Sequence, residues 1–413
     1  MAETLGTLDQ AEIGKLVATS RAVITSATVH TSLGLALRAS SPDAQYPYID
    51  TRTLAAAIVA LTELEDFRSA RAFCSFLLGV QSQSGSWAAG YRDDGSELNL
   101  AGSEDATALA VWALMSYVRA SGDDSFGEQA REHVEEAARY THARTLNPYL
   151  YLVETTSSIH GPAISSGYEL WNNCAHAAAY ALCHRVYGGE RHRRLALLIR
   201  RAIGVLMCAE GRFLRRLDPS GHPDPRPDVC LIAPFYFGLW ASTERTVMNT
   251  AELIERTLWN VEIGGYLPYL PFSSAERARL VGPSPCFTAW MAQYHYETCN
   301  KDRGEAILRW LFNTAVDGQL AEVVVPVNAA RRYLTEQRRS LGNGRVRKHD
   351  PRQQRLLADL DAIDEAVGHQ EMVHSGVPLI WAHLELLRAL RKAGYVQRWE
   401  PGISEALGVK SEE

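Results

Sequence analysis

Apolar residues recur along most of the chain at the three- and four-residue spacing of an amphipathic helix. In residues 53–65, Leu54, Ile58, Leu61 and Leu64 fall close to one stripe of a 3.6-residue repeat. Residues 5–37 predict one or two further helices. The same periodicity predicts helices over 69–80, 107–119, 128–143, 170–186, 193–208, 230–241, 250–259, 287–298, 305–316 and 378–393.

Strand-like patterns are scarce, and the β-branched run at 322–327 is the clearest of them. Glycine, proline and serine clusters at 84–86, 188–189, 264–265 and 282–285 separate the helical segments. The pattern indicates about twelve helices in hairpin-like pairs that repeat every 50 to 60 residues or so. Since each pair needs a neighbour to bury its apolar stripe, the all-α chain is expected to form a closed ring or a solenoid.

The composition is that of a globular protein with a sizeable core, since 46% of the 413 residues are hydrophobic and 22% are charged. A net charge of -6 argues against a nucleic-acid partner, which would need a cationic surface. No apolar run reaches the roughly 20 residues of a membrane span, and no signal peptide is recognised at the start. The seven cysteines form no CxxC pair, so free thiols and a cytoplasmic location are expected.

Residues 331–355 stand out because they carry nine arginine and lysine side chains. A solvated, charged loop and helix is the plain interpretation. The functional interpretation is a lid or subsite for an anionic group, since arginine suits phosphate and carboxylate. We place this segment in an Arg-rich insertion at about 328–372 of a barrel domain over 41–400, after an N-terminal helical extension over 1–40.

The segments between the helices carry carboxylates, aromatic rings and amides. Such a set suits a sugar, because aromatic faces pack on the apolar faces of pyranose rings while carboxylates and amides bind the hydroxyl groups. Cleavage of a glycosidic bond also needs two carboxyl groups, of which one is protonated and the other ionised. The histidines are dispersed and no HExxH pair occurs, so neither a metal nor another cofactor is expected.

Seven short motifs appear in order along the chain. They are YPYIDTR at 46–52, QSQSGSWAAGYRDDGS at 81–96, SEDAT at 103–107, YELW at 168–171, PDVCLIAP at 227–234, GQLAE at 318–322 and PLIWAHLELLRAL at 378–390. Their order and spacing resemble glycoside hydrolase family 15, the glucoamylase and glucodextranase family, over roughly residues 40–395. The resemblance implies an (α/α)6 barrel that acts on a sugar or glycoside.

The resemblance also implies roles for individual residues. Glu322 falls on the general base, which would deprotonate the attacking water. Helix capping is the alternative for Asp105, and core packing is the alternative for Trp87 and Trp171. The residues implied to bind substrate are Tyr48, Asp50, Arg52, Trp87, Glu104, Asp105, Trp171, Asn173, Asp228, Trp381 and His383.

The chain departs from the family where the acid should be. Asn172 occupies the position of the general acid, Asn173 follows it, and Thr53 and Val323 replace two further polar residues of the pattern. An amide cannot protonate a leaving group, and losing acid assistance costs about 10²- to 10⁴-fold in rate.

Three outcomes follow from this departure. In the first outcome a neighbouring carboxyl group replaces the acid. It is either that of Glu169, three residues before Asn172 on the same helix face, or that of Glu104 or Asp105 from another loop. In the second outcome the leaving group needs no proton, and in the third the site no longer hydrolyses glycosides.

The alternatives to a glycosidase are a non-catalytic carbohydrate-binding barrel and a base-driven lyase or cyclase on the same fold. The stretch 71–87 also resembles a Q…GxW motif of helical terpene cyclases, but the sequence has neither their DxDD acid nor their Asp-rich diphosphate site. We therefore expect a small sugar or glycoside as partner, with or without an anionic group, and neither nucleic acid nor a membrane.

Overall fold

The computed structural model of the chain describes residues 8–42, 44–98, 100, 104–156, 166–271, 280–343, 361, 364–365, 372–400 and 402–407. Helices dominate this part of the chain. They are α1 Gln10–Ala27, α2 Thr51–Glu63, α3 Phe67–Gly79, α4 Glu104–Ser121, α5 Asp124–Arg144, α6 Leu170–Tyr187, α7 Glu190–Leu206, α8 Ala233–Tyr236, α9 Arg245–Leu258, α10 Pro285–Glu297, α11 Lys301–Asn313, α12 Val327–Asn343, α13 Ile380–Ala393 and α14 Ile403–Ala406.

The helices divide into two layers according to how much of their circumference is apolar. In α2 nearly every residue from Thr51 to Thr62 is buried, which is typical of a helix enclosed on all sides. In α7, by contrast, the buried residues include Leu195, Ile199, Ala202 and Ile203 and form one stripe. Helices of the first kind therefore form the inner layer, and helices of the second kind cover them from outside.

The inner layer is a closed ring. Helix α2 contacts α4, α4 contacts α6, α6 contacts α8, α8 contacts α10, α10 contacts α13, and α13 returns to α2. The outer partners of these helices are α3, α5, α7, α9, α11 and α1 respectively, with α9 contacting the 3₁₀ turn Val229–Ile232 that precedes α8. This confirms the all-α, (α/α)6 barrel that the sequence predicts and excludes an open solenoid.

The strands are short and lie at the rim of the ring. They are β1 Thr28–Thr31, β2 Gly34–Leu37, β3 Ile49–Asp50, β4 Gly90–Tyr91, β5 Glu97–Leu98, β6 Tyr168–Glu169, β7 Cys208–Ala209, β8 Arg212–Phe213, β9 Arg216–Leu217, β10 Pro223–Asp224, β11 Val323–Pro326 and β12 Met372–Ser375. The antiparallel pair β11–β12 places Val323 opposite Ser375, so the segment before β11 lies beside the turn after β12.

One helical prediction is corrected. The expected helix over 230–241 is only a 3₁₀ turn followed by α8, since Pro234 lies in the first turn of α8 and Gly238 takes a positive φ of 66° just after it. Within 5–37, where one or two helices are predicted, the structure has one helix, α1. The hairpin β1–β2 follows it, because Thr28, Val29 and Thr31 are β-branched and Gly34 supplies the turn. Among the described helices, none is long and apolar enough to cross a membrane.

Candidate active site

The candidate active site lies where the first turns of the inner helices meet at one end of the ring. Arg52 is in the first turn of α2, Asp105 in that of α4 and Trp171 in that of α6. Arg52 donates to both carboxylate oxygens of Asp105 at 2.8 and 3.0 Å, and Trp171 Nε1 donates to Asp105 Oδ2 at 3.0 Å. Three residues that come from separate motifs therefore form one hydrogen-bonded network.

Asp50 begins α2 beside this network. Its carboxylate accepts hydrogen bonds from the backbone N and the hydroxyl of Thr53, both at 2.8 Å, and so caps the helix. Burial raises the pKa of the Asp50 carboxyl, against the opposing charge of Arg52. Burial also disfavours the charge of Arg52, but the Asp105 and Asp50 carboxylates raise the pKa of this guanidinium further above its usual value.

Four aromatic side chains pack together next to the Arg52–Asp105 pair, and we call Trp171, Tyr236, Trp290 and Trp381 the aromatic floor. The rings of Trp171 and Trp290 are stacked, with centroids 5.0 Å apart and an interplanar angle of 6°. Tyr236 lies 4.7 Å from Trp290, and Trp381 lies 5.8 Å from it. Tyr236 and Trp381 are half-buried, whereas the other two rings are buried. The floor therefore offers aromatic surface suited to the apolar face of a sugar.

Glu322 lies in the segment between α11 and β11 and is half-buried. Tyr46 donates its hydroxyl to Glu322 Oε2 at 2.7 Å. The Glu322 backbone N donates to the carbonyls of Ser375 and Gly376 at 3.0 and 3.1 Å. The position of the Glu322 carboxylate is thus fixed both by the backbone hydrogen bonds of its own residue and by Tyr46, which lies 276 residues away in the sequence.

His383 packs against the segment that carries Glu322 and is completely buried. Its Nδ1 lies 2.9 Å from the Ser20 hydroxyl, and its Nε2 accepts from the Leu320 backbone N at 3.0 Å. Burial lowers the pKa of the His383 imidazole to about 3, so the ring is neutral at neutral pH. With both nitrogens occupied and no exposed surface, His383 positions the segment that carries Glu322 rather than contacting a ligand.

Cys286 is a buried thiol near the start of α10. The cysteine lies in the first turn of α10, four residues before Trp290. Burial raises the pKa of its thiol, and the charges of Glu385 and Glu322 raise it further.

Asn172 and Asn173 are both buried but differ in their contacts. The Asn173 amide accepts from the Val153 backbone N at 2.7 Å and donates to the carbonyl of Glu169 at 2.8 Å, so it ties a loop to α6. Among the described residues, neither the Asn172 nitrogen nor its oxygen has a hydrogen-bond partner, although Asn172 is only 2% exposed. The Trp290 indole nitrogen likewise has none. Buried polar groups left unsatisfied cost about 1–3 kcal/mol each, so such atoms call for a functional explanation.

Glu169 begins α6 and is only 4% exposed. Its backbone pairs with that of Arg216 across strands β6 and β9. Burial lowers the pKa of the Arg216 guanidinium, and the charge of Glu169 opposes this effect. The same charge adds to those that raise the pKa of Arg52. Glu169 therefore interacts electrostatically with two guanidinium groups.

The remaining predicted site residues have structural partners. Glu104 accepts from the Thr155 hydroxyl and from the backbone N of Thr156 at 2.9 and 3.1 Å. Asp228 forms an ion pair with Arg215 at 2.9 Å, and both side chains are almost completely buried. Two aromatic residues complete the set: Trp87 is buried and donates to the Leu77 carbonyl, while Tyr48 is half-buried and packs edge-on against Tyr46.

The structure adds site residues that the sequence analysis did not select. Tyr46 rather than Tyr48 reaches Glu322. Tyr236 and Trp290 complete the aromatic floor, and Glu385 lies beneath it. The YPY motif contained Tyr46, but the sequence gives no signal for which of its two tyrosines contacts Glu322.

The anionic subsite predicted for 331–355 lies partly outside the described residues, since 344–360 are not among them. Within the described part, Arg338 pairs with Asp364 at 2.8 Å and is exposed. Among the described residues, no group of three or more histidine, cysteine, aspartate and glutamate side chains is arranged to hold a metal ion. The prediction that residues 331–355 bind an anionic group stays a hypothesis, because this segment lies partly outside the described residues.

A small cavity lies apart from the site, between α4, α5 and α6. Its lining includes Thr107, Thr141, His176 and Tyr180, together with alanine and valine side chains. Burial lowers the pKa of the His176 imidazole to about 4. The cavity has the size of a water molecule and is therefore not a sugar pocket.

Comparison with known proteins identifies relatives by structure but not by sequence. No family model matches the chain, and no curated protein does either. A wild-type glycosidase is 18% identical, with a TM-score of 0.68 over 94% of this chain and 100% of its own. A bacterial glucoamylase complexed with acarbose is 14% identical, with a TM-score of 0.63 over 97% of this chain and 59% of its own.

A sugar epimerase has the same architecture. The cellobiose 2-epimerase from Spirochaeta thermophila is 14% identical, with a TM-score of 0.54 over 76% of this chain and 88% of its own. The structural neighbours are therefore glycosidases, glucoamylases and an epimerase built on the helical barrel. At such identities the likeness establishes the fold.

Proposed function

We propose that this protein is a glycosidase-type enzyme that binds a sugar on the aromatic floor and uses Glu322 as general base. The observation that carries the proposal is the Tyr46–Glu322 hydrogen bond of 2.7 Å, at the end of the ring where the floor lies. A tyrosine hydroxyl that donates to a carboxylate favours its ionised form, which a general base requires. The neighbours support the sugar, since one glycosidase variant is described in complex with glucose and the bacterial glucoamylase with acarbose.

The leaving group is proposed to depart without a proton from the protein. Asn172 occupies the acid position, and its amide can donate a hydrogen bond but not a proton. Among the nearby carboxylates, Asp105 is held by Arg52 and Trp171, and the charge of Glu169 interacts with the guanidinium groups of Arg52 and Arg216. Glu322 would take a proton from water while the water oxygen bonds to the anomeric carbon. The electron pair of the breaking C–O bond would leave with an oxygen that is stable as an anion.

Two substrates that differ in leaving group test this proposal. The purified protein is incubated with 4-nitrophenyl α-glucoside, whose leaving group needs little protonation, and with maltose, whose leaving group needs it. We expect turnover of the nitrophenyl substrate only, and a loss of about 10²-fold or more in Glu322→Gln. The exposed carboxylate of Glu97 provides a control, because Glu97→Gln should leave the rate unchanged. Equal turnover of maltose would contradict the missing acid.

Two variants then separate the outcomes for the acid. Asn172→Glu restores a carboxyl at the acid position and should raise maltose turnover by about 10²-fold or more. Glu169→Gln should affect both substrates alike if Glu169 is not the acid. A selective loss of maltose turnover in Glu169→Gln would identify it as a relocated acid. Binding of maltose with no turnover of either substrate would favour a carbohydrate-binding barrel.

A further inference from the structure

A carboxylate is completely buried beneath the aromatic floor. Glu385 lies on α13, four residues after Trp381 and therefore on the same face of that helix. Its Oε1 accepts from the Tyr236 hydroxyl at 2.8 Å and from Trp381 Nε1 at 3.0 Å. Its Oε2 accepts from Gln293 Nε2 at 2.8 Å. Two of the four residues of the floor are thus hydrogen-bonded to one carboxylate.

The charge of Glu385 is compensated by a buried arginine. Arg388 Nη1 lies 3.1 and 3.3 Å from the two oxygens of Glu385, and other nitrogens of the same guanidinium bond Glu63 at 2.9 and 3.1 Å. Burial opposes the charge of Arg388, but Glu63 and Glu385 raise the pKa of this guanidinium well above its usual value. The guanidinium also lies over the Tyr236 ring, 5.0 Å from its centroid. Such a fully hydrogen-bonded ionic chain is rigid, because each member has fixed partners.

This network determines which part of the floor can face a ligand. Burial and the charge of Glu385 raise the pKa of the Tyr236 phenol well above its usual value, so its hydroxyl remains a donor to Glu385. Trp381 and Tyr236 point their polar atoms at Glu385, and Trp171 points its own at Asp105. Since Trp171 is buried, the carbon surface of the half-buried Trp381 and Tyr236 rings is what remains for a ligand, and it fits the C–H face of a pyranose ring.

We infer that Glu385 is a positioning residue for sugar binding, which fixes the orientation of Trp381 and Tyr236 without contacting the sugar. The inference rests on the proposed sugar pocket and extends it to the residue that holds its floor. Because Glu385 acts on binding and not on the proton transfer of Glu322, removing its charge should raise KM and leave the pH dependence of kcat in place.

Glu385→Gln tests the inference, since it keeps the shape of the side chain. It replaces the carboxylate, which accepts five hydrogen-bond contacts, by a neutral amide. We expect KM for 4-nitrophenyl α-glucoside and Kd for glucose to rise about tenfold or more, since hydrogen bonds to a charged group are lost. The acidic limb of the kcat profile should stay where it is in the wild type. An unchanged KM, or a displaced acidic limb, would overturn the inference.

Glu255, which lies on α9, offers a matched control because it bonds His295 in the last turn of α10. Its carboxylate accepts from His295 Nε2 at 2.6 Å and from Arg303 Nη2 at 2.9 Å, and Tyr266 also donates to it. Glu255→Gln therefore breaks a similar network in the last turn of α10, away from the floor, and should lower stability without raising KM. A rise in KM equal to that of Glu385→Gln would show that the effect is merely structural.

Tyr236→Phe keeps the inference testable if Glu385→Gln does not fold. This variant keeps the ring and removes only the hydroxyl that bonds Glu385. It should raise KM by itself, and combining it with Glu385→Gln should give less than the product of the two effects, because both break one contact. An unchanged KM in Tyr236→Phe, or full multiplicativity, would overturn the inference.

The wild type separates this inference from the proposed function. If the wild type neither binds glucose in calorimetry nor cleaves the nitrophenyl glucoside, the proposed function itself fails. If the wild type binds glucose and Glu385→Gln binds it equally well, only the positioning role of Glu385 fails.

Discussion

At the scale of single residues, the Tyr46–Glu322 contact shows how the site is built from distant parts of the chain. Tyr46 precedes α2, while Glu322 follows α11, and the two meet at 2.7 Å. A hydrogen bond to a charged group contributes about 1.5–3 kcal/mol, more than one between neutral groups. The hydroxyl of Tyr46 therefore both orients the carboxylate and favours its ionised form.

Replacing Tyr46 by phenylalanine should weaken the base without removing it. We expect Tyr46→Phe to lower kcat about tenfold or more and to move the acidic limb of the pH–rate profile to higher pH, since the carboxylate loses a donor. Kinetics between acidic and neutral pH measure both effects. Tyr149→Phe is a suitable control, because Tyr149 is 89% exposed and lies outside the site. A profile that does not move in Tyr46→Phe would contradict this role.

The sequence could select residue types for the site but not their contacts. Arg52, Asp105 and Trp171 were singled out from separate motifs, and the structure joins them in one network. Trp87 and His383 came from two further motifs, yet their polar atoms bond partners within the fold. A motif identifies which residue occurs at a position, whereas the contacts of its side chain depend on segments hundreds of residues away.

At the scale of elements, the turn after β12 leaves room for the carboxylate of Glu322, which we propose as the base. Gly376 has a φ of 67°, a conformation that side chains with a Cβ rarely adopt. A Cβ at this position would lie 2.8 Å from Glu322 Cβ and 3.1 Å from Glu322 Oε2. The glycine is therefore required both by the backbone and by the side chain that packs against it.

Gly376→Ala should displace Glu322 and reduce activity more than stability. We expect kcat/KM to fall about 10²-fold, because a shift of about 1 Å in a reacting group has this effect. Gly394 supplies the matched control, since its φ is 84° but a Cβ there would meet no atom within 4 Å. Gly394→Ala should lower Tm by a similar backbone strain and leave kcat/KM unchanged. Similar losses of activity in both variants would contradict the prediction.

Helix existence was more predictable than helix length. The periodic pattern located α2, α4, α6, α10 and α13, whose apolar residues continue over several turns. The pattern predicted too long a helix around α8, because the apolar residues of 230–241 do not show that Pro234 and Gly238 limit the helix. The strand β11 was anticipated from its β-branched residues, but its partner β12 was not.

At the scale of the whole molecule, the ring closes through contacts that no local pattern reveals. Helix α13 packs against α2 on the inner side, and α1 packs on α13 from outside. The helical pairing in the sequence indicated a ring or a solenoid, and only these long-range contacts decide between them. The (α/α)6 class was therefore predictable from pattern and resemblance, whereas closure required the three-dimensional structure.

Buried histidines make the stability of the molecule depend on pH. Burial lowers the pKa of His176 from 6.5 to about 4 and that of His383 from 6.5 to about 3. Between pH 6.5 and about 4 the unfolded chain therefore binds more protons than the native protein, so stability falls as the pH is lowered. Each histidine contributes about 1.4 kcal/mol per pH unit in this window.

Chemical denaturation at several pH values between neutral and acidic measures this slope. We expect His176→Gln to reduce the slope by about 1.4 kcal/mol per pH unit. His222 has a side chain that is 79% exposed, so His222→Gln should leave the slope unchanged. A free energy of unfolding that stays constant between neutral pH and pH 5 would show that the buried imidazoles accept protons in the native state.

The parallel arrangement of the inner helices has an electrostatic consequence for the pocket. Helices α2, α4, α6, α10 and α13 direct their first turns to the same end of the ring, and each helix dipole places roughly half a positive charge there. This shared potential favours negative charge at that end, where Asp50, Asp105 and Glu322 are gathered. A leaving group that departs as an anion, as we propose, would be stabilised by the same field, so the scaffold itself would supply part of what a proton otherwise provides.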